Sequence, residues 1–185
     1  GNLLGYATMP GTANDTLDGV VVSYSTIGGP DHVGVHPTYN LGRTLTHEVG
    51  HWLNLIHIWG DDGGTCTGTD NVADTPNQAS EHFGTPNFPI ISCSNNPDGD
   101  MFMNFLDYTD DYVMNIFTAG QSLRMQDAVN NSRASLLTSR GCIDTTTAID
   151  VALQNVINIE TIYCQGSIMP SAVIKNKGTA TINSL

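Results

Sequence analysis

Strand-forming residues are concentrated in two short stretches near the start of the chain, residues 2–8 and 19–27. The stretch between them is rich in Pro, Gly, Asn and Asp, which favour turns and loops. The pattern therefore predicts two β-strands joined by a loop. Gly28, Gly29 and Pro30 predict the end of the second strand.

Two later segments have the features of α-helices. Residues 43–53 carry hydrophobic side chains at helical spacing, which predicts a helix there. A capping box formed by Thr118 and Gln121 predicts the start of a second helix, because the Thr hydroxyl accepts from the N3 amide while the Gln side chain reaches back. We expect this helix to run to about Leu137, with Gly141 closing it.

An irregular stretch separates the two predicted helices. Residues 61–100 are dense in Gly, Asp, Asn, Pro and Ser and lack periodicity. A stretch of that length inside a compact domain is uncommon unless it is functional or held in place. Cys66 and Cys93 lie near its two ends.

The C-terminal part of the chain has a different character. Residues 144–149 have the composition of a linker, and residues 150–185 alternate in short β-type runs. These runs predict the beginning of an all-β, sandwich-like domain that is truncated at Leu185. We therefore expect one domain over residues 1–143, with its N-terminal part missing, and further C-terminal sequence in the same protein.

The net charge narrows the range of partners. With 6 basic and 18 acidic residues the chain carries a net charge of −12, which argues against nucleic acid and favours cationic partners. A role in keeping a secreted protein soluble explains the same charge equally well. No apolar run approaches the roughly 18 residues that a membrane span requires, so membrane insertion is not expected.

The four cysteines suit an oxidising compartment. Cys66, Cys93, Cys142 and Cys164 form no C-x-x-C pair, so a structural zinc knuckle is not expected. Their wide spacing favours disulfides, but four cysteines allow three pairings and the spacing does not choose among them.

The strongest chemical signal is an H-E-x-x-H motif at residues 47–51. Residues four apart lie on one face of a helix, so His47 and His51 can direct both imidazoles at one zinc ion. Glu48 is placed to act as the general base on a water molecule at that ion.

A third histidine, His57, follows six residues after the motif. It can reach the same metal only if the helix stops and the chain turns back. Asn54 stands where a left-handed turn is needed, and asparagine tolerates that conformation better than most residues. The competing interpretation, solvated histidines on a surface helix, leaves this combination unexplained.

With these residues the chain resembles the metzincin metallopeptidases, and among them the pappalysin family. The similarity covers residues 4–142, and its further motifs are residues 40–44, 59–63, 72–78, 99–104 and 107–111, with Met114 and residues 117–121. The resemblance implies an α+β, two-lobed catalytic domain with the active-site helix above a cleft. It also implies a secreted bacterial zinc endopeptidase that cleaves extended polypeptides.

The resemblance assigns roles to two further residues. Tyr108 matches a family tyrosine that assists at the oxyanion or holds the zinc site, with a packed loop aromatic as the alternative. Asp111 matches an acidic residue at the base of the S1′ pocket, which implies cleavage before Arg or Lys. The alternative for Asp111 is a solvated surface charge.

Calcium and disulfide positions also follow from the resemblance. Family members bind calcium at positions matching Asp70, Ala73 and Thr75, and an Asx-type turn without metal is the alternative. Cys66 and Cys93 match a family disulfide. Cys142 and Cys164 pair with each other or with partners outside this chain.

The sequence departs from the family in two places. Leu106 occupies the position of the Met-turn methionine, and the similar volume of Leu and Met predicts that the floor under the zinc survives. A second family disulfide falls at Thr85 and Val113, so we expect a more mobile 80–90 loop. These departures leave open a catalytically weak or inactive metzincin-fold module that serves binding or surface attachment.

Overall fold

The computed structural model describes residues 3–12, 16–95, 97–139, 141, 151–157 and 171–181. These residues fall into two compact units, one up to Thr138 and one from Ser139 onward. The linker predicted at 144–149, Cys142 and Cys164 lie outside the described residues, and the domain boundaries at 143 and 150 stay predictions.

The two N-terminal strands form a small antiparallel sheet. β1 spans Gly5–Ala7 and β2 spans Val20–Val22, with the first residue of β1 opposite the last residue of β2. Both strands lie where the sequence predicts them but are shorter. The second strand ends early because the Ser23 hydroxyl accepts from the Ser25 amide and starts a 3₁₀ turn over Tyr24–Thr26.

Helix α1 spans Arg43–Trp52 and packs against both strands, in agreement with the hydrophobic spacing. Its N-cap residue, Gly42, has a left-handed conformation with φ of 81° and offers no capping side chain. Asp111 supplies the missing acceptor, because its Oδ2 accepts from the amides of Leu41 at 2.6 Å and Arg43 at 3.2 Å. A carboxylate at this end is also favoured by the helix dipole.

Helix α2 spans Ala119–Asn130 and begins with the predicted capping box. The Thr118 hydroxyl accepts from the Gln121 amide at 3.0 Å, and the Gln121 side chain accepts from the Thr118 amide at 2.9 Å. The predicted end of this helix near Leu137 is wrong, since a separate 3₁₀ helix spans Ala134–Thr138. Asparagine and serine at the helix end have low helix propensity and favour this break.

The chain leaves α2 where Arg133 folds back on the rest of the unit. Its buried guanidinium lies 4.0 Å from the centroid of the Trp52 ring and donates Nε to the Trp52 carbonyl at 2.6 Å. It also donates to the Thr8 carbonyl at 3.1 Å and forms an ion pair with Asp18. One side chain thereby connects the ends of β1, α1 and α2.

The hydrophobic core of this unit lies under the C-terminal end of α1. Its buried residues are Leu55, Ile58, Trp59 and Leu106. Partly buried aromatic and methionine side chains surround them. The core therefore supports the turn that follows α1 and the segment that carries Leu106.

The irregular stretch predicted over residues 61–100 contains no helix or strand among its described residues. A disulfide joins Cys66 and Cys93, as the family resemblance implies. The carboxylate of Asp62 accepts hydrogen bonds from several backbone amides of the same loop. At the position of the absent second disulfide, the Thr85 hydroxyl contacts the Tyr112 hydroxyl, and the mobility of the 80–90 loop stays a prediction.

Among its described residues, the second unit contains two strands, β3 over Val151–Ile157 and β4 over Ser171–Asn176. They pair in antiparallel fashion with a register irregularity between Leu153 and Asn155. A complete β-sandwich stays a prediction. Within the described part of the chain, no helix is long and apolar enough to cross a membrane.

Candidate active site

Helix α1 ends in the left-handed turn that the sequence predicts at Asn54, where φ is 74°. The Leu55 amide donates to the Gly50 carbonyl at 2.9 Å, which closes the end of the helix. Arg124 of α2 donates Nε to the Asn54 carbonyl at 2.6 Å. The turn is therefore stabilised by a backbone hydrogen bond at the end of α1 and by a hydrogen bond from a side chain of α2.

Three histidine nitrogens converge on one point. The Nε2 atom of His51 lies 3.0 Å from that of His47 and 3.1 Å from that of His57, and the third pair is 3.3 Å apart. Among the described residues, these three form the only group of His, Cys, Asp or Glu side chains with metal-ligand spacing.

Each histidine is oriented by an acceptor at its other nitrogen. Nδ1 of His47 lies 2.7 Å from the Phe105 carbonyl, and Nδ1 of His51 lies 2.9 Å from the Leu55 carbonyl. Nδ1 of His57 lies 2.9 Å from the carboxylate of Asp61. A proton on each Nδ1 leaves the Nε2 lone pair free to bind a metal.

The site fits zinc. A tetrahedral zinc ion with nitrogen ligands at about 2.0–2.1 Å places ligand atoms roughly 3.3–3.4 Å apart, close to the spacing observed. Burial lowers the pKa of His47 to about 3 and also lowers the pKa of His51. Both imidazoles are therefore neutral at physiological pH, the form that binds a metal.

Leu106 and Tyr108 lie next to the histidine cluster, Leu106 against α1 and Tyr108 against His57. Leu106 is fully buried, and its Cδ2 would lie 3.0 Å from a methyl group placed on Gly50 in α1. The Tyr108 hydroxyl lies 3.0 Å from Nε2 of His57. Burial raises the pKa of Tyr108 to about 12, so the phenol stays protonated and can donate a hydrogen bond. The floor at the Met-turn position is filled by leucine.

Glu48 is largely buried beside β1. A methyl group on Gly5 would lie 2.9 Å from Cγ and 3.0 Å from Oε1 of Glu48, so the strand approaches the carboxylate closely only because residue 5 is glycine. Burial raises the pKa of Glu48 to about 7. A carboxyl group with such a pKa can both accept and return a proton near neutral pH.

Asp111 lies in the same cleft as the histidines, at the side where α1 begins. The cleft has a volume of about 460 Å³, and its walls include Tyr39, Arg43 and Met114. Asp111 is 1% exposed, so the alternative of a solvated surface charge is wrong. Its Oδ2 holds the start of α1, whereas its Oδ1 is buried without a partner among the described residues.

Asp70, Ala73 and Thr75 lie together in one turn away from the cleft. The Thr75 hydroxyl lies 2.8 Å from both carboxylate oxygens of the buried Asp70, and the Val72 amide donates to Oδ1 at 3.1 Å. These contacts form an Asx-type turn, the metal-free alternative to calcium that the sequence predicts.

From the sequence, His82 is interpreted as an ordinary polar residue of a loop, because no ligand spacing surrounds it. The structure places it between Asp107 at 2.9 Å and Asp100 at 3.2 Å. Both partners are distant along the chain, so no local pattern marks the contact.

Three converging histidines, a buried glutamate and a tyrosine in one cleft define the site of a zinc metallopeptidase. The chain belongs to the family described as Pregnancy-associated plasma protein-A, whose model matches residues 8–130. The resemblance to the pappalysin family is therefore confirmed.

Curated relatives of the chain are named as metalloproteases. An extracellular metalloprotease of Colletotrichum graminicola is 43% identical over 126 residues, covering 68% of this chain and 42% of its own length. An extracellular metalloprotease of Sordaria macrospora is 42% identical over 141 residues, covering 73% of this chain and 47% of its own length. The chain thus spans less than half the length of these relatives. Both relatives are fungal, so a bacterial source is not confirmed.

A solved structure supports the fold. Mature mirolysin of Tannerella forsythia, in complex with a cleaved peptide, is 51% identical with a TM-score of 0.65. The match covers 70% of this chain and 48% of that one. The metzincin fold with mixed helix and sheet is therefore confirmed for this part of the chain.

Proposed function

We propose that the chain is the catalytic part of a secreted zinc-dependent endopeptidase that cleaves extended polypeptides before Arg or Lys. The observation that carries the proposal is the convergence of three Nε2 atoms within 3.3 Å of one another, each histidine oriented through its Nδ1. The relatives named extracellular metalloproteases support the extracellular location.

His47, His51 and His57 would hold the zinc ion, which when bound polarises the scissile carbonyl and acidifies a water molecule. Glu48 accepts a proton from the attacking water as the oxygen adds to the carbonyl carbon. The same carboxyl then passes the proton to the leaving nitrogen as the C–N bond breaks. The Tyr108 hydroxyl donates a hydrogen bond to the developing oxyanion.

The edge of β1 that pairs with no other strand among the described residues supports binding of an extended substrate. The Leu4 carbonyl and the Thr8 amide bond toward the β2 side of the sheet. Backbone direction alternates along a strand, so the polar groups of Gly5 and Ala7 face the opposite edge. Both residues line the cleft, where a peptide can add as a further strand.

Asp111 supports a preference for Arg or Lys. Its Oδ1 has no hydrogen-bond donor among the described residues. The residue lines the cleft that also contains the zinc ligands. Burial raises the pKa of Asp111, while the Leu41 and Arg43 amides and the charge of Arg43 act in the opposite direction, so a further cationic partner would stabilise the carboxylate. A substrate guanidinium or ammonium would supply that partner.

The first experiment compares Glu48→Gln with Asp31→Asn, which removes an exposed carboxylate. We expect hydrolysis of Arg-containing peptides by wild type and Asp31→Asn, none by Glu48→Gln, and one zinc per chain in all three. Removal of zinc by a chelator should abolish activity and re-addition should restore it. Zinc at unit stoichiometry without cleavage of any unfolded protein would support the inactive binding module instead.

The second experiment compares Asp111→Asn with Asp110→Asn on a peptide library. Asparagine keeps an acceptor for the start of α1 but removes the charge. We expect the Arg/Lys preference to fall at least about tenfold in Asp111→Asn and to persist in Asp110→Asn. An unchanged profile in both variants would leave Asp111 with its helix-capping role only.

Calcium at Asp70, Ala73 and Thr75 stays a prediction from the family resemblance. Its test is a calcium titration of thermal stability with Asp70→Asn as the control. The further C-terminal domains expected for the whole protein are likewise part of the proposal.

A further inference from the structure

His82 lies between two buried carboxylates outside the zinc ligands. Its Nδ1 lies 2.9 Å from Oδ2 of Asp107, and its Nε2 lies 3.2 Å from Oδ2 of Asp100. Asp107 is 0% exposed and Asp100 is 2% exposed. His82 itself retains a small exposed edge, and Glu81 is the acidic neighbour on its own segment.

The geometry favours the charged state of this imidazole. A neutral imidazole has one donor nitrogen and one acceptor nitrogen, whereas both nitrogens of an imidazolium donate. Each nitrogen of His82 faces a carboxylate oxygen, and Nδ1 also lies 3.3 Å from Nε2 of Gln78. With both aspartates ionised, only the imidazolium makes both carboxylate contacts favourable. It also supplies the positive charge that two buried carboxylates require.

The other contacts of Asp100 and Asp107 involve neutral groups. Asp100 Oδ1 accepts from the Ser92 hydroxyl at 2.6 Å and the Asn95 amide group at 2.5 Å. Asp107 Oδ2 also accepts from the Gln78 side chain at 2.9 Å. Asp107 and Asp100 are the charged groups that raise the pKa of His82 above its usual value.

Asp107 connects this cluster to the active site. Its Oδ1 accepts from the backbone amides of His82 and Tyr108, each at 2.7 Å. Asp107 also stands between Leu106, the floor under the zinc helix, and Tyr108, whose hydroxyl reaches His57. On the other side, Phe83 follows His82 and lines the cleft, with its ring centroid 5.9 Å from that of Tyr108.

We propose that His82 is a positioning residue: as an imidazolium it binds Asp100 and Asp107 together and thereby fixes the turn that places Tyr108 at the zinc site. The catalytic consequence rests on the proposed function, whereas the charge and the coupling to Tyr108 do not.

The pH dependence has a defined sign. The hydrogen bond with Asp107 is the largest cause that raises the pKa of His82 above its usual value of 6.5. The imidazolium contacts are therefore complete below pH 6.5 and are lost as the pH rises through the folded-state pKa. Activity that depends on the position of Tyr108 should fall over the same alkaline range.

Three variants test the proposal through kcat as a function of pH. His82→Gln removes the charge, His82→Lys keeps a cation that titrates at higher pH, and His32→Gln changes an exposed histidine. We expect kcat of His82→Gln to be about tenfold lower at neutral pH and to lose the alkaline decline governed by His82. His82→Lys should recover most of the rate and move that decline upward, and His32→Gln should match wild type.

NMR of the chain provides a readout that needs no proteolysis. The ring nitrogens of His82 should show an imidazolium at pH 6.5, and the Tyr108 ring signals should shift with the His82 titration in wild type but not in His82→Gln. A neutral His82 at that pH, or Tyr108 signals that do not follow its titration, would overturn the proposal. Equal kcat and pH profiles in wild type and His82→Gln would overturn it as well. If wild type cleaves nothing, the proposed function fails, and the NMR titration alone decides the role of His82.

Discussion

Arg124 Nε donates a hydrogen bond of 2.6 Å to the carbonyl oxygen of Asn54. Asn54 is the left-handed residue that turns the chain back toward His57. Helix α2 therefore supports the metal-binding turn from outside, and the geometry of the third ligand depends on contacts that neither the motif nor the turn contains.

The conformation of Asn54 predicts a specific order of stability among its variants. The left-handed region costs a residue with a Cβ roughly 1–2 kcal/mol, costs asparagine less than most, and costs glycine nothing. We expect Asn54→Gly to keep the wild-type stability and zinc affinity, and Asn54→Ala to lose about 1 kcal/mol of folding free energy. Urea unfolding and zinc competition measure both effects. Equal stability of the Gly and Ala variants would contradict the assigned turn.

The close approach of β1 to the general base predicts a catalytic defect in Gly5→Ala. The added methyl group would lie 2.9 Å from both Cγ of Glu48 and the Val21 carbonyl oxygen, so the strand or the carboxylate must move. We expect kcat to fall about 10- to 100-fold while zinc content is unchanged. Gly19→Ala is the control, because a methyl group there meets no atom within 4 Å. A wild-type rate in Gly5→Ala would show that Glu48 does not need this approach.

The buried leucine at the Met-turn position predicts a difference between two substitutions. Leu106→Ala leaves a cavity under α1 and should cost about 2–5 kcal/mol of folding free energy. Leu106→Met conserves volume and should cost less than about 1.5 kcal/mol with activity retained. Chemical denaturation and kcat/KM test both variants. A large loss of activity in Leu106→Met would mean that the floor is specific for leucine.

The ion pair of Asp18 and Arg133 predicts a loss of stability in acid. Hydrogen bonds from Arg133 and Thr8 lower the pKa of Asp18 from 3.8 to about 2. The stability that ionised Asp18 contributes is therefore complete above its pKa in the unfolded chain. It is lost as the pH falls through its pKa in the folded protein. The difference in unfolding free energy between wild type and Asp18→Asn should shrink between pH 5 and about pH 2. A constant difference over that range would contradict the pairing.

Local sequence predicts the parts of the site that depend on neighbouring residues. Helix α1 follows from its hydrophobic spacing, and the turn follows from the rarity of residues that tolerate its conformation. The capping box of α2 is local in the same sense, because Thr118 and Gln121 are three residues apart. These features could be derived before any tertiary contact is known.

The remaining features depend on contacts between distant parts of the chain. The family resemblance predicts Asp111 as a specificity residue, but its role at the start of α1 requires contacts with Leu41 and Arg43, about seventy residues away. His82 is bound by Asp107, which lies 25 residues further along the chain. After the break that asparagine and serine favour, the contacts of Arg133 with Trp52 and Asp18 keep the chain from continuing as the helix predicted to reach Leu137. Periodicity and propensity do not report such contacts.

The position of Arg133 also determines where the catalytic unit can be cut. The match to the family model ends at residue 130, before this arginine. A gene fragment that stops there would omit the guanidinium that connects the end of β1, the last turn of α1 and Asp18. Such a fragment would contain every zinc ligand and the general base, yet it would lack the side chain that anchors the helix carrying them.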